Sequence, residues 1–132
     1  LPRGPYAIAP EVVAADQRQR LLTAVPGVVA PQGLEATTIA QIVKAAGVSR
    51  NSFYELFEDK RECVAAAFET AQERVLGAVT FQCYSRAGAD ERIAGALSAA
   101  LDLLAAEPAM ARLLLIEAPV AGVEFGPPSR LA

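Results

Sequence analysis

Residues 37–60 read TTIAQIVKAAGVSRNSFYELFEDK, and this stretch decides how the rest of the chain is understood. Thr37 and Thr38 precede Ile39, Ile42, Val43 and Ala46, apolar positions at helical spacing. Either threonine suits an N-cap, where its hydroxyl accepts a hydrogen bond from an early amide. Gly47 permits the left-handed conformation that ends a helix. Val48 fills the corner, and Ser49 caps a short helix over 50–56. In that helix Phe53 and Phe57 turn inward, leaving Arg50, Asn51, Ser52 and Tyr54 outside. Asp59 then caps a long helix starting at Lys60. A capped helix, a Gly-Val-Ser turn and a short helix with a polar outer face make a helix-turn-helix, which lays one helix across DNA phosphates and presents the next to base edges.

The residue types fit that use. The N-terminal end of the helix at 39 joins threonine hydroxyls to free amides at a positive dipole end, so Thr37 and Thr38 are candidate phosphate contacts. Arg50 suits a bidentate contact to guanine, Asn51 a contact to adenine, and Ser52 either a base or a phosphate. Tyr54 is better placed as a phosphate donor, and Lys60 sits where a second backbone strand passes. The competing reading of Arg50 and Asn51 is an ordinary solvated face.

Outside this stretch the chain is apolar and alanine-rich. Of its 132 residues 53% are hydrophobic, enough for a core and against disorder. No apolar run approaches the ~18 residues of a membrane span. The opening LPRGPYAIAP has no apolar signal region and no initiator Met, so the expectation is a cytoplasmic protein whose given sequence begins inside a longer product. The net charge is −3, and residues 1–62 carry seven Lys/Arg against seven Asp/Glu, so the acidic excess lies beyond the helix-turn-helix. A neutral module binds DNA when its basic groups share one face. Cys63 and Cys83 fall on one helix about 30 Å apart, too far for a disulfide. They read as small hydrophobes in a reducing compartment, with redox sensing as the minority reading.

The remaining organisation is all-α. Residues 1–10 read as a Pro/Gly-rich arm, in the first place a solvated tail, with contact of Arg3 to DNA phosphates or the minor groove as the lesser reading. A helix over 11–30 carries Leu21, Leu22, Val25, Val28 and Val29, with a kink or break expected at Pro26-Gly27. The fourth helix, about 60–84, presents Val64, Phe68, Ala71, Val75 and Val79 on one face. After a loop at 85–90, a fifth helix to about 106 turns Ile93, Leu97, Leu101 and Leu104 inward. A sixth runs from Pro108 to about 118 through Met110, Leu113, Leu114 and Ile116, and Pro119 stops it. The expected division is an arm over 1–10, a helix-turn-helix domain over 11–60, and a helical ligand-binding and dimerisation domain over 61–132.

The stretch IAQIVKAAGVSRNSFYELFEDKRECVAAAFE resembles the DNA-binding signature of TetR-family transcriptional regulators, and the opening LPRGP with QRQRLL is similar to actinobacterial members. The resemblance is strong over about 17–68 and weaker through EPAMARLLLIEAPVAG. It implies a three-helix DNA-binding domain joined by a long fourth helix to a helical regulatory domain. It further implies a homodimer on a palindromic operator of double-stranded DNA, answering to a small apolar or amphipathic effector, most often as a repressor. By motif position Thr38, Tyr54 and Lys60 match the family's phosphate contacts, and Arg50, Asn51 and Ser52 its base-reading positions. Candidate pocket residues are Val75, Val79, Leu97, Leu101, Leu104, Leu113 and Ile116, against the plainer reading that they fill the core. Two departures stand out. Pro26-Gly27 interrupts a helix that is normally continuous, and the chain stops after about six helices, where the family continues.

Enzyme chemistry is not supported. The chain has no histidine, its cysteines are too far apart to share a metal, and it has no glycine-rich phosphate loop. No metal, cofactor or membrane role is expected. The alternative function is a helical interaction or ligand-binding module without specific operator binding, with Glu55, Glu58 and Asp59 near the short helix as the feature that favours it.

Overall fold

The structure, a computed structural model, describes residues 9–84, 87–120 and 122. The expected arm residues 1–8, Arg3 among them, and the tail from 123 lie outside the described residues. All regular structure among the described residues is helical: α1 (Pro10–Val29), α2 (Ile39–Ala46), α3 (Arg50–Leu56), α4 (Lys60–Cys83), α5 (Ala89–Ala106) and α6 (Pro108–Arg112). A π-helical turn (Leu113–Glu117) and a short α7 (Ala118–Val120) follow.

Two apolar clusters hold these helices. In the first, Leu21, Leu22, Val25 and Val29 of α1 meet Ile42 and Val43 of α2, Phe53 and Phe57 around α3, and Cys63, Val64 and Ala67 of α4. The second joins Phe68 and Ala71 of α4 to Met110, Leu114 and Ala118. α4 passes through both. So does the π-turn, because Leu113 belongs to the first cluster and its neighbour Leu114 to the second. The join between the helix-turn-helix half and the remainder is therefore not made by α4 alone.

Three expectations are corrected. α1 does not break at Pro26 but continues to Val29. The missing N–H and the ring disturb only the turn behind the proline. The Ala30 amide closes on the Pro26 carbonyl at 2.9 Å, and buried Leu22 and Val25 before the proline and Val29 after it anchor the helix on both sides. Pro119 does not stop the last helix but lies inside α7. In the π-turn the Ala118 amide reaches back five residues to the Leu113 carbonyl. Such a widened turn is a local departure from α-helical bonding just before the proline.

The third correction concerns the orientation of α5. Ile93, Leu97 and Leu101 face outward, at 67%, 61% and 56% exposure, and no residue of α5 is fully buried. The helix instead turns Gly95, Ala96, Ala99, Ala100, Leu103 and Leu104 toward the protein. Small residues let the two backbones approach closely. A Cβ on Gly95 would lie 2.9 Å from the Gln82 side-chain oxygen of α4. The period of the large apolar residues was the same as that of the small ones, and the small ones pack.

Removing a fully buried ring should therefore cost far more than trimming α5. We expect Phe53→Ala to lower stability by about 3–5 kcal/mol, and Leu97→Ala to change it by no more than about 0.5 kcal/mol. Urea denaturation of both variants measures this, and equal losses would contradict the outward placement of Leu97.

Candidate nucleic-acid interface

The surface is built from caps. Thr38 caps α2: its hydroxyl accepts from the Gln41 amide at 3.2 Å, and the Gln41 side-chain oxygen accepts from the Thr38 amide at 3.0 Å. This reciprocal pair satisfies two of the amide groups a helix start leaves open. Gln41 also exchanges hydrogen bonds with Gln32, whose side chain donates to the Val28 carbonyl of α1. Gly47 ends α2 at φ +69°. From α1, Arg20 donates to the Gly47 carbonyl at 3.2 Å and fixes the turn. Ser49 caps α3, accepting from the Ser52 amide at 3.1 Å.

α3 then sorts its side chains by face. Phe53 is fully buried, stacked edge-on against Tyr54 and tilted against Phe57. Arg18 of α1 lies over the Phe57 ring, 5.7 Å from its centre. Arg50, Asn51, Tyr54 and Glu55 share the outward face. Arg50 and Asn51 engage no partner among the described residues, so both remain available to an external ligand. Ser52 is half-buried and its hydroxyl accepts from Ser49 at 3.0 Å, so it serves the cap as well as any outside contact.

The two threonines offered to phosphate separate. Thr38 is exposed at the head of α2. Thr37 is 1% exposed and donates its hydroxyl to the Gly33 carbonyl at 2.8 Å, which removes it from the surface. It was the only polar residue of the described core to be fully buried, and its local hydrogen bond is why burial is tolerated. Lys60 sits at the first turn of α4, but its ammonium is turned onto the preceding loop. Nζ donates to the Leu34 carbonyl at 3.0 Å and to the Thr37 carbonyl at 2.9 Å. An ammonium has three donors, so these two bonds leave one for an anion.

The nearby acids are partly absorbed by structure. Asp59 caps α4 by accepting from the Glu62 amide at 2.8 Å, and Glu62 accepts from the Glu58 amide at 2.6 Å. Glu55 remains on the outward face of α3 beside Asn51 and Tyr54. Sequence reading missed the backbone-holding roles of Gln41, Arg20 and Lys60. The first was legible as the glutamine three residues after a threonine cap.

The seven candidate pocket residues do not gather around one cavity. Val75 and Leu104 pack against the second cluster, and Val79 is partly buried on α4. Leu113 is inside the first core, and Leu97 and Leu101 are exposed. Ile116 lines an open groove of about 430 Å³ with Ala30, Pro108, Arg112 and Leu115. A second cleft, about 330 Å³, lies between α1, α4 and α6 and is walled by Leu22, Pro26, Ala71, Pro108 and Met110, with the Arg74–Glu107 ion pair at its side. None of the seven lines it.

The cysteines also separate. Cys83 is exposed and Cys63 is fully buried. Burial pushes the Cys63 thiol up to about 12, partly opposed by the Arg18 charge. A raised folded-state value means that this thiol contributes stability below its ordinary range near 9, which is lost as pH rises above it. With the folded protein at about pH 8, iodoacetamide should modify Cys83 and spare Cys63, both reacting once the chain is denatured. Mass spectrometry of the native and denatured adducts checks this, and native labelling of Cys63 would contradict its burial.

Residues 28–67, from the end of α1 into α4, match the model of the bacterial regulatory proteins of the tetR family. Among solved structures the fold is similar to the fatty acid degradation regulator FadR from Bacillus halodurans, with a TM-score of 0.75 and 20% identity over 93% of this chain and 59% of that one. It is also similar to a gamma-butyrolactone receptor, an ArpA-like protein, with a TM-score of 0.72 and 22% identity over 89% of this chain and 60% of that one. The chain thus spans about three fifths of the length of either structure. No match was found among the curated proteins. Residues 28–67 thus carry a helix-turn-helix segment of the tetR type, set in a helical fold similar to that of both structures.

Proposed function

We propose that this chain acts as a ligand-responsive transcriptional repressor that binds a palindromic operator as a homodimer. The observation that carries the reading is the outward face of α3, where Arg50 and Asn51 stand unengaged on a helix capped by Ser49 and anchored by Phe53. Rigid presentation of a few polar side chains is what base reading in a major groove requires. Arg50 and Asn51 read bases, Ser52 assists beside its cap, and Thr38, Tyr54 and Lys60 hold phosphates. Two copies dock together only if their α3 helices match adjacent major grooves about 34 Å apart. A small apolar or amphipathic effector held among the regulatory helices would change that separation by tilting α4. The name of the gamma-butyrolactone receptor is in keeping with an effector of this size.

A second reading, a helical interaction module, draws on Glu55, which shares the outward face with Arg50 and would repel phosphate if turned toward it. Selection from random duplex DNA, with the bound species sized by light scattering, separates the two. A palindromic motif recovered by a dimer supports the repressor. An interaction module enriches no motif.

On the selected motif, Arg50→Ala should cost about 1–3 kcal/mol and relax preference at one base position. Lys60→Ala should weaken all sequences alike and lower the salt slope by about one. Titrations on matched and scrambled duplexes at several salt concentrations measure both, and identical behaviour of the two variants would refute this division of roles.

A further inference from the structure

The loop between α1 and α2 is held by a residue far along the chain. The Leu34 amide donates to Oε2 of Glu117 at 3.1 Å, across a separation of 83 positions. Glu117 ends the π-turn, and its side chain is only 12% exposed. Its other oxygen, Oε1, lies 3.5 Å from Nε of Arg112 one turn earlier. Gly33, at φ +83°, brings the loop against this carboxylate, and a Cβ there would sit 3.7 Å from Oε2.

The same loop is held from the other side. Lys60 donates to the Leu34 and Thr37 carbonyls, and Thr37 closes the loop on Gly33. Leu34 is thus bonded through its amide to Glu117 and through its carbonyl to Lys60. The next exposed residue after this assembly is Thr38, the α2 cap at the phosphate-facing end.

From this we infer that Glu117 is a positioning residue for the DNA-facing surface, acting through Leu34 on the placement of Thr38 and Lys60. It touches no DNA. A hydrogen bond to a charged acceptor is stronger than a neutral one, and losing it leaves a part-buried amide without a partner. Two groups nominated for phosphate contact therefore depend on a carboxylate in the regulatory half. A shift of the π-turn, whose neighbouring residues Leu113 and Leu114 sit in different cores, would reach the DNA surface by this route. The inference rests on the DNA-reading function proposed above.

The test compares the whole chain with Glu117→Ala and Glu117→Gln. Amide hydrogen exchange reports the loop directly, and affinity for a mixed-sequence duplex at low salt reports the consequence. For Glu117→Ala we expect exchange over residues 34–42 to quicken on the order of ten-fold, while amides of Leu21, Leu22 and Phe68 keep their protection. Duplex affinity should fall several-fold in parallel. Glu117→Gln keeps an acceptor oxygen and should restore most of both. Unchanged exchange over 34–42, or a uniform rise throughout the chain, overturns the positioning role. If the local loosening appears but duplex affinity is unaltered, the link from Leu34 to the DNA surface is wrong. If the unmodified chain binds no duplex, the DNA-reading function fails, and with it the purpose assigned to Glu117, whatever exchange shows.

Discussion

Peptide groups that leave regular structure must each find a partner, and in residues 33–37 this demand shapes the surface around it. Side chains from three places meet it: Thr37 from within the loop, Lys60 from the start of α4, and Glu117 from the π-turn. Everything that faces outward nearby, the Thr38 cap and the first turn of α4 included, is positioned relative to that bonded loop. A lysine at the start of a helix opposes the helix dipole. It is tolerated because its ammonium is drawn back onto two carbonyls.

The apolar framework follows the same division. The first cluster locks α1, α2 and α3 around Phe53, with Cys63, Val64 and Ala67 of α4 and Leu113 of the π-turn closing it. The second is thinner and is formed by α4 with the segment from Met110 to Ala118. α5 packs on α4 through small side chains and adds no fully buried residue. Most fully buried residues are thus gathered beneath the helix-turn-helix. The remaining helices join it through α4 and the π-turn.

Much of the helix-turn-helix half could be read from its residues, because local rules determine it. The Thr38, Ser49 and Asp59 caps, the left-handed Gly47 and the inward Phe53 and Phe57 follow from residue type and spacing over a few positions. What spacing could not settle was competition between equal periods. In α5 the stripe of Ile93, Leu97 and Leu101 and the stripe of Gly95, Ala99 and Leu103 repeat alike, and only the close approach of α4 decides between them. Thr37 and Thr38 are both plausible caps, and the choice depends on a hydrogen bond to Gly33. Lys60 and Glu117 reach the loop across 26 and 83 positions, where no local pattern reports the contact. The continuity of the chain through Pro26 and Pro119 was likewise hidden, since proline penalties are local and the anchoring that offsets them is tertiary.

The length of α4 has a mechanical consequence. Its 24 residues make a rod about 36 Å long, held by the first core near its start and by the second core at Phe68 and Ala71, and bearing Cys83 at its far end. A rotation of about 5° about the held end would carry the far end about 3 Å. The rod is an amplifier: a displacement of under about 1 Å around Val64 and Ala67 becomes about two bond lengths at Cys83. Run in reverse, the same lever ratio trades a large, soft movement at the far end for a small, forceful one beside the loop that carries Thr38.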